Sequence, residues 1–291
     1  MSLKNRCVVS HSLWLVLMLG VIGMSLPTKS LAQEKLSAFK QKVDGGYDFW
    51  LHEPDPRTVS NQPIPLILFL HGKSLSGSNL EQVKRYGVLK EVLRRRKLPA
   101  YVLAPQCPRG KMWNPERIIK VVDFIQHNYN TDTNRFYVVG MSMGGYGVLH
   151  FAGAFSERIA AAVALCGGGK ERDGSKLATI PLWIMHGTSD RAVSYRESEK
   201  MVNSIKRVNN GVNLKYDFIA GAGHGEMARF FSMDELYSWL FSHSRSHPTL
   251  ASNDSVFVEH SRFVSSARKH KGKRAKSRKL KINKRKHHNS H

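Results

Sequence analysis

Cysteine is scarce, three in 291 residues, too few for a small scaffold stapled by disulfides. A long apolar run is also missing. The most apolar segment, residues 13–24, covers about a dozen positions, short of the ~20 that a membrane-crossing helix needs. Acidic residues are in short supply: 22 Asp and Glu face 45 Lys and Arg, for a formal charge of +23. No acid falls in residues 1–32 or 262–291, which hold three and 13 bases respectively. Residues 33–261 then carry 29 bases against all 22 acids, a modest +7. The excess charge therefore belongs mostly to one end, and it does not by itself make the whole chain a polyanion-binding protein. No internal repeat is present, which excludes a solenoid or propeller.

The two ends differ in kind. Lys4 and Arg6 precede the apolar run, and Ser30-Leu31-Ala32 places small residues three and one before a cleavage point. That is the pattern of an export signal, residues 1–32, with the mature chain starting near Gln33 outside the cytoplasm, secreted or periplasmic. At the other end, residues 268–291 recur in Lys and Arg with few apolar side chains. Such a segment buries too little surface to offset its ordering entropy and is expected to be disordered. It can serve as an adhesive arm for an anionic surface or polysaccharide, or simply be a solvated tail. No aromatic residue follows Phe263, so base stacking is not provided for and no specific nucleic-acid partner is expected. Residues 246–267 read as a linker.

The middle, residues 33–245, alternates short apolar runs with helical patterns. Candidate strands are 47–51, 64–70, 100–104, 136–140, 160–166, 181–186 and 214–219; candidate helices are 80–96, 116–129, 144–154, 194–208 and 234–241. Continuous runs such as Leu66-Ile67-Leu68-Phe69-Leu70 suit strands covered on both faces. Asn114 and Pro115 make a helix start. The alternation predicts one α/β domain, a mostly parallel sheet flanked by helices.

In such sheets ligands gather beyond the carboxyl ends of the strands, and four ends carry chemistry. One runs into Gly140-Met141-Ser142-Met143-Gly144, the G-x-S-x-G turn that lifts a serine above the sheet at a helix N-terminus. A second ends at His186-Gly187-Thr188-Ser189-Asp190, and a third leads to Gly223-His224-Gly225. A serine hydroxyl is a poor nucleophile at its own pKa and needs a base. His224 would take its proton, and Asp190 would fix the imidazole tautomer and stabilise the imidazolium. Singly, Asp190 reads equally as a helix cap and His224 as a loop histidine; all three at strand ends, in this order, point to catalysis. At the fourth end, Leu70-His71-Gly72-Lys73, the backbone N–H groups of Lys73 and Met143 are the natural pair to hold an oxyanion. His71 reads as a brace for that loop.

These residues, together with Ala104-Pro105-Gln106 and Gly145-Tyr146-Gly147, resemble the α/β-hydrolase superfamily. More narrowly, they are similar to the secreted bacterial esterase or predicted-peptidase branch, related to dienelactone hydrolases and prolyl-oligopeptidase-like proteins. The resemblance covers about residues 34–245. It implies Ser142, Asp190 and His224 as the triad and Lys73 and Met143 as oxyanion donors. The loop His71-Gly72-Lys73-Ser74 departs from the more glycine-rich form of many relatives.

Lids in this architecture usually follow the strand after the nucleophile helix, and the fourteen residues between Cys166 and Pro181 are too few for a helical cap. An open site without a large lid is expected, suited to a bulky polymeric or small polar ester. Trp113 is a candidate platform for a sugar or aromatic acyl ring, or else a packing residue. Cys107 and Cys166 would sit three strands apart, about 14 Å at ~4.8 Å per strand. A disulfide needs Cα atoms within ~7 Å, so both are expected as free thiols. Neither a cofactor nor a metal is expected. The expected function is a secreted serine hydrolase of a carboxylic ester. A peptidase or amidase with the same triad and a non-catalytic polyanion-binding protein stand as alternatives.

Overall fold

The computed structural model describes residues 35–59 and 62–245. The expected export signal, linker and basic tail lie outside the described residues. Eight strands form one sheet: β1 Lys35–Phe39, β2 Phe49–Glu53, β3 Ile64–Leu70, β4 Tyr101–Pro105, β5 Thr131–Met141, β6 Ala161–Leu165, β7 Leu182–Gly187 and β8 Leu214–Ile219. Their order is β1-β2-β4-β3-β5-β6-β7-β8. Pairs from β4 through β8 are parallel, while β1–β2 and β2–β4 are antiparallel. The chain winds from β3 outward to β4, then crosses to β5 on the other side of β3. The order reverses there, and open parallel sheets form a crevice at the carboxyl ends of the strands on either side of such a reversal.

The helices are α1 Val88–Leu93, α2 Pro115–Asn128, α3 Met143–Ala154, α4 Gly174–Leu177, α5 Arg196–Asn209 and α6 Asp234–Phe241. Successive side chains of a strand face opposite ways. In β3, Leu66, Leu68 and Leu70 accordingly enter one core with Ile118, Val122, Val148 and Ile205. Ile67 and Phe69 enter the other with Val88, Val92, Leu236 and Leu240. Each such buried side chain contributes about 1.5–3 kcal/mol, which fixes β3 as the rigid centre beneath the crevice. Asn114 caps α2 through its side-chain oxygen, accepting from Glu116 N (2.8 Å) and Arg117 N (3.2 Å), with Pro115 at the first position.

One helix is corrected. Residues 80–96 do not form a single helix: a 3₁₀ helix over Leu80–Arg85 stops, and α1 begins only at Val88. Gly87 causes the break, with φ +86, and a Cβ there would fall 1.9 Å from Phe69 Cζ. The interruption turns Tyr86 inward. Strand β1 has no counterpart among the expected strands, because its five residues are exposed or half-buried and begin at a lysine. It is held as an edge strand by pairing with β2 and by Lys35–Glu53 at 3.0 Å.

Between β6 and β7 the chain makes only a 3₁₀ turn, Glu171–Asp173, and the single turn of α4. The carboxyl ends of the strands stay uncapped there. Among the described residues, no helix is long and apolar enough to cross a membrane.

Candidate active site

β5 ends at Met141, paired with Leu165 of β6, and Ser142 follows as the N-terminal cap of α3. Its φ of 61° and ψ of −123° lie in a region where a non-glycine residue costs about 1–3 kcal/mol. Two backbone bonds hold it there: Ser142 N–H donates to Leu165 O at 2.8 Å, and Tyr146 N–H donates to Ser142 O at 3.0 Å. The turn closes only because Gly140 lacks a side chain; a Cβ there would stand 2.4 Å from Gly144 O.

The loop after β3 lies alongside. A Cβ on Gly72 would fall 3.2 Å from Ser142 Cβ and 2.7 Å from Tyr86 Oη. Gly72 N–H donates to Tyr86 Oη at 2.5 Å, so the inward-turned tyrosine pins this loop beside the serine. Lys73 opens a 3₁₀ helix, Lys73–Leu75, and Met143 opens α3. The N–H groups of such first residues have no acceptor within their own helix. Tyr86 carries no periodic or motif signal. Only the glycine after it marks the break.

His71 braces the loop, as the sequence suggested. It is fully buried, and its Nδ1 is 2.8 Å from Gly72 O while Nε2 accepts Cys107 N–H at 3.1 Å. Nδ1 therefore carries the hydrogen and the ring is neutral. Burial pushes its pKa from 6.5 down to about 4. Between those values the unfolded chain binds a proton that the folded one refuses, so stability is expected to fall as pH drops from about 6.5 toward 4. At about 1.4 kcal/mol per pH unit, His71 accounts for about 3 kcal/mol of loss. Melting temperature against pH should show a shallower acid slope in His71→Gln than in the parent; equal slopes would remove His71 from this account. His52, also pushed down to about 4 by burial, contributes to the slope that remains, as do His186 and His243, which burial lowers too.

Trp113 is a correction. It is 4% exposed, its Nε1–H donates to His71 O at 3.0 Å, and its ring packs edge-on against Tyr47 and His71. It has no free face for a substrate and instead locks the β3 and β4 loops together.

Asp190 and His224 come together from the loops after β7 and β8. His224 Nδ1 lies 2.6 Å from Asp190 Oδ2. The Asp190 side chain is 0% exposed and that of His224 25%. Asp190 Oδ1 accepts the N–H groups of Ala192 (2.8 Å) and Val193 (2.9 Å). Burial works to raise the Asp190 carboxyl. The hydrogen bonds from Val193 N–H, His224 and Ala192 N–H outweigh it and leave the carboxyl below its ordinary value. Asp190 is therefore ionised at neutral pH. It directs the hydrogen of His224 to Nδ1 and leaves Nε2 as a base. The described hydrogen bonds do not include one between Ser142 Oγ and His224, a contact often loose in a resting site.

The sequence offered no metal-binding set outside the tail, but the fold brings Cys166, His186 and Asp190 together, with ligand atoms within 4.8 Å of one another. Burial, then the nearby Asp190 charge, raise the Cys166 thiol well above its ordinary value. A metal needs the thiolate, and Asp190 is already committed to His224, so the set does not suit a cation. Cys107 and Cys166 are both free and buried.

Residues 110–235 match the dienelactone hydrolase family, a stretch that contains Ser142, Asp190 and His224. A bifunctional acetylxylan esterase/xylanase, XynS20E of Neocallimastix patriciarum, is 24% identical over 182 residues, which are 59% of this chain and 25% of that protein. A thermostable esterase of known structure is 26% identical with a TM-score of 0.63, over 74% of this chain and 64% of that one. The feruloyl esterase module of Clostridium thermocellum, solved as its S954A mutant with sinapinate, shares the fold at 14% identity. Its TM-score is 0.55, over 71% of this chain and 87% of that one. The chain thus spans about a quarter of the length of the curated relative and under two thirds of the thermostable esterase.

Proposed function

We propose that this chain is a serine hydrolase of the α/β-hydrolase superfamily that cleaves carboxylic esters through an acyl-enzyme. The observation that carries the reading is the 2.6 Å bond from His224 Nδ1 to a buried, ionised Asp190. It leaves His224 Nε2 as a base in the loops that share the sheet's carboxyl edge with the strained Ser142. In the first half-reaction Ser142 Oγ attacks the ester carbonyl and its proton passes to His224 Nε2. The carbonyl oxygen becomes an oxyanion that the N–H groups of Lys73 and Met143 receive, each worth about 2.7–4 kcal/mol of barrier. His224 then gives the proton to the departing alcohol. In the second half-reaction His224 takes a proton from water, which attacks the acyl-serine; Ser142 recovers its proton and the acid leaves.

The uncapped strand ends suit an ester borne on a polymer or a small polar ester. The names of the relatives favour an acetyl group on xylan, or a feruloyl ester, as the substrate class. The enzyme acts outside the cytoplasm on the strength of residues 1–32, and residues 268–291 would hold it on an anionic surface. Retention on anionic polysaccharide that falls with salt, and that is lost when the chain stops at residue 245, tests the second of these; equal retention removes it. Hydrolysis of acetylated, feruloylated and aliphatic esters beside aminoacyl amides tests the reaction. Ester cleavage that vanishes in Ser142→Ala is expected. Faster turnover of the amides would move the protein to the peptidases.

A further inference from the structure

Of the buried imidazoles that take no part in the reaction steps, one stands against the triad. His186, at the end of β7, is fully buried, and its Nε2 lies 3.2 Å from Asp190 Oδ2, the same oxygen that His224 engages at 2.6 Å. Nε2 is also 3.0 Å from Val193 O, and Nδ1 is 2.7 Å from Ser198 Oγ on α5. We propose that His186 is a positioning residue for the triad: its Nε2–H, given to Val193 O beside Asp190 Oδ2, holds the Asp190 loop in place and moderates the pull of Asp190 on His224. This rests on the triad reading given above.

Proton bookkeeping supports it. Val193 O and Asp190 Oδ2 are both acceptors, so Nε2 must carry a hydrogen. Burial lowers the pKa of His186, so the ring is neutral and Nδ1 presents its lone pair to the Ser198 hydroxyl. That hydroxyl also sits 2.8 Å from Gly167 O, in the loop after β6. The network therefore ties the β6 loop, α5 and the β7 loop to one face of Asp190. The titratable groups facing His186 are Asp190 in its own loop, His224 from the β8 loop and the Cys166 thiol at the end of β6; α5 contributes the uncharged Ser198. With Oδ1 taken by two backbone donors, the N–H edge of His186 at 3.2 Å from Oδ2 leaves the carboxylate with no alternative orientation. The positive end of that N–H also offsets part of the Asp190 charge.

The test compares His186→Phe and His186→Gln with the parent, using ester turnover against pH and fluorophosphonate titration of active sites. Phe fills the volume without a donor; the Gln amide can reach the Nε2 place. His186→Phe should lower kcat per titrated site by about 10- to 100-fold, the range seen when hydrogen-bond partners behind metal-bound histidines are removed. KM should hardly move. The acid limb of kcat/KM should shift to higher pH by about half a unit or more, because Asp190 now draws His224 toward the imidazolium. His186→Gln should return the limb to its place. An unmoved limb in His186→Phe, or a loss that only follows the fall in titratable sites, overturns the proposal. If His186→Phe does not fold, Ser198→Ala replaces it: a smaller shift in the same direction supports the relay, and no shift overturns it. A parent protein that is not labelled at Ser142 would instead overturn the hydrolase reading, so the two failures are separable.

Discussion

Asp190→Asn is expected to lower kcat by about 10⁴-fold while the fold stays intact. The size follows from which atom of the new amide must face His224. The N–H groups of Ala192 and Val193 both point at Oδ1, at 2.8 and 2.9 Å. They demand an acceptor there, so the amide oxygen takes that place and the NH₂ group falls where Oδ2 was. A donor then stands where His224 Nδ1 lay 2.6 Å from an acceptor. His224 must offer a lone pair at Nδ1 and carry its hydrogen on Nε2, the atom that has to receive the proton of Ser142. The base is disabled without any change in position. Thermal melting should confirm the fold, and kcat at saturating substrate should report the loss. A loss of less than about tenfold would mean that Asp190 orients nothing.

Gly144→Ala is expected to cost more stability than any other single methyl near the site. A Cβ at Gly144 would lie 1.8 Å from Leu70 O, 2.6 Å from Leu70 C and 2.9 Å from His71 O. All three are backbone atoms of the buried central strand and the turn that follows it, and no side-chain rotation relieves the contact. α3 would have to move off β3 by more than 1 Å (about the shortfall from ordinary contact), pulling Ser142 with it. Inserting a methyl into a packed interior typically costs about 1–3 kcal/mol, and this site belongs at or beyond the upper end. The control is Gly225→Ala, where a Cβ meets nothing within 4 Å. Its chemical denaturation midpoint should stay near that of the parent, whereas Gly144→Ala should fail to accumulate as folded protein or unfold far earlier. Similar midpoints for the two would show that the close approach of α3 to β3 is not structurally required.

The two substitutions bear on different parts of what could be read from the residues alone. Strand 64–70 coincides with β3, because a run of apolar residues bounded by turn formers leaves little choice of register. The placement of Ser142, Asp190 and His224 beyond the carboxyl ends of β5, β7 and β8 was legible for a related reason: each stands in the loop after a strand, where parallel sheets deliver their loops to one edge. What was not legible depends on contacts between distant segments. At Tyr86-Gly87 the break rests on a glycine with φ +86 packed against Phe69, a contact with a distant strand that a lone glycine in a helical pattern does not announce. Trp113 could not be assigned to substrate or core from its position in a loop. Its burial follows from Gly147, where a Cβ would lie 2.7 Å from Trp113 Cδ1. His186 was visible at the end of the strand before Asp190, but its approach to Oδ2 at 3.2 Å depends on how the loop folds back onto the end of β7.

The central claim, that Ser142 is the nucleophile of an ester-cleaving triad, is tested most directly by covalent labelling. The purified protein is treated with a fluorophosphonate and the adduct is located by peptide mass spectrometry. One phosphonyl group per chain, on Ser142 and absent from Ser142→Ala, is the predicted result. No adduct on the folded parent, or equal labelling of Ser142→Ala, would contradict it.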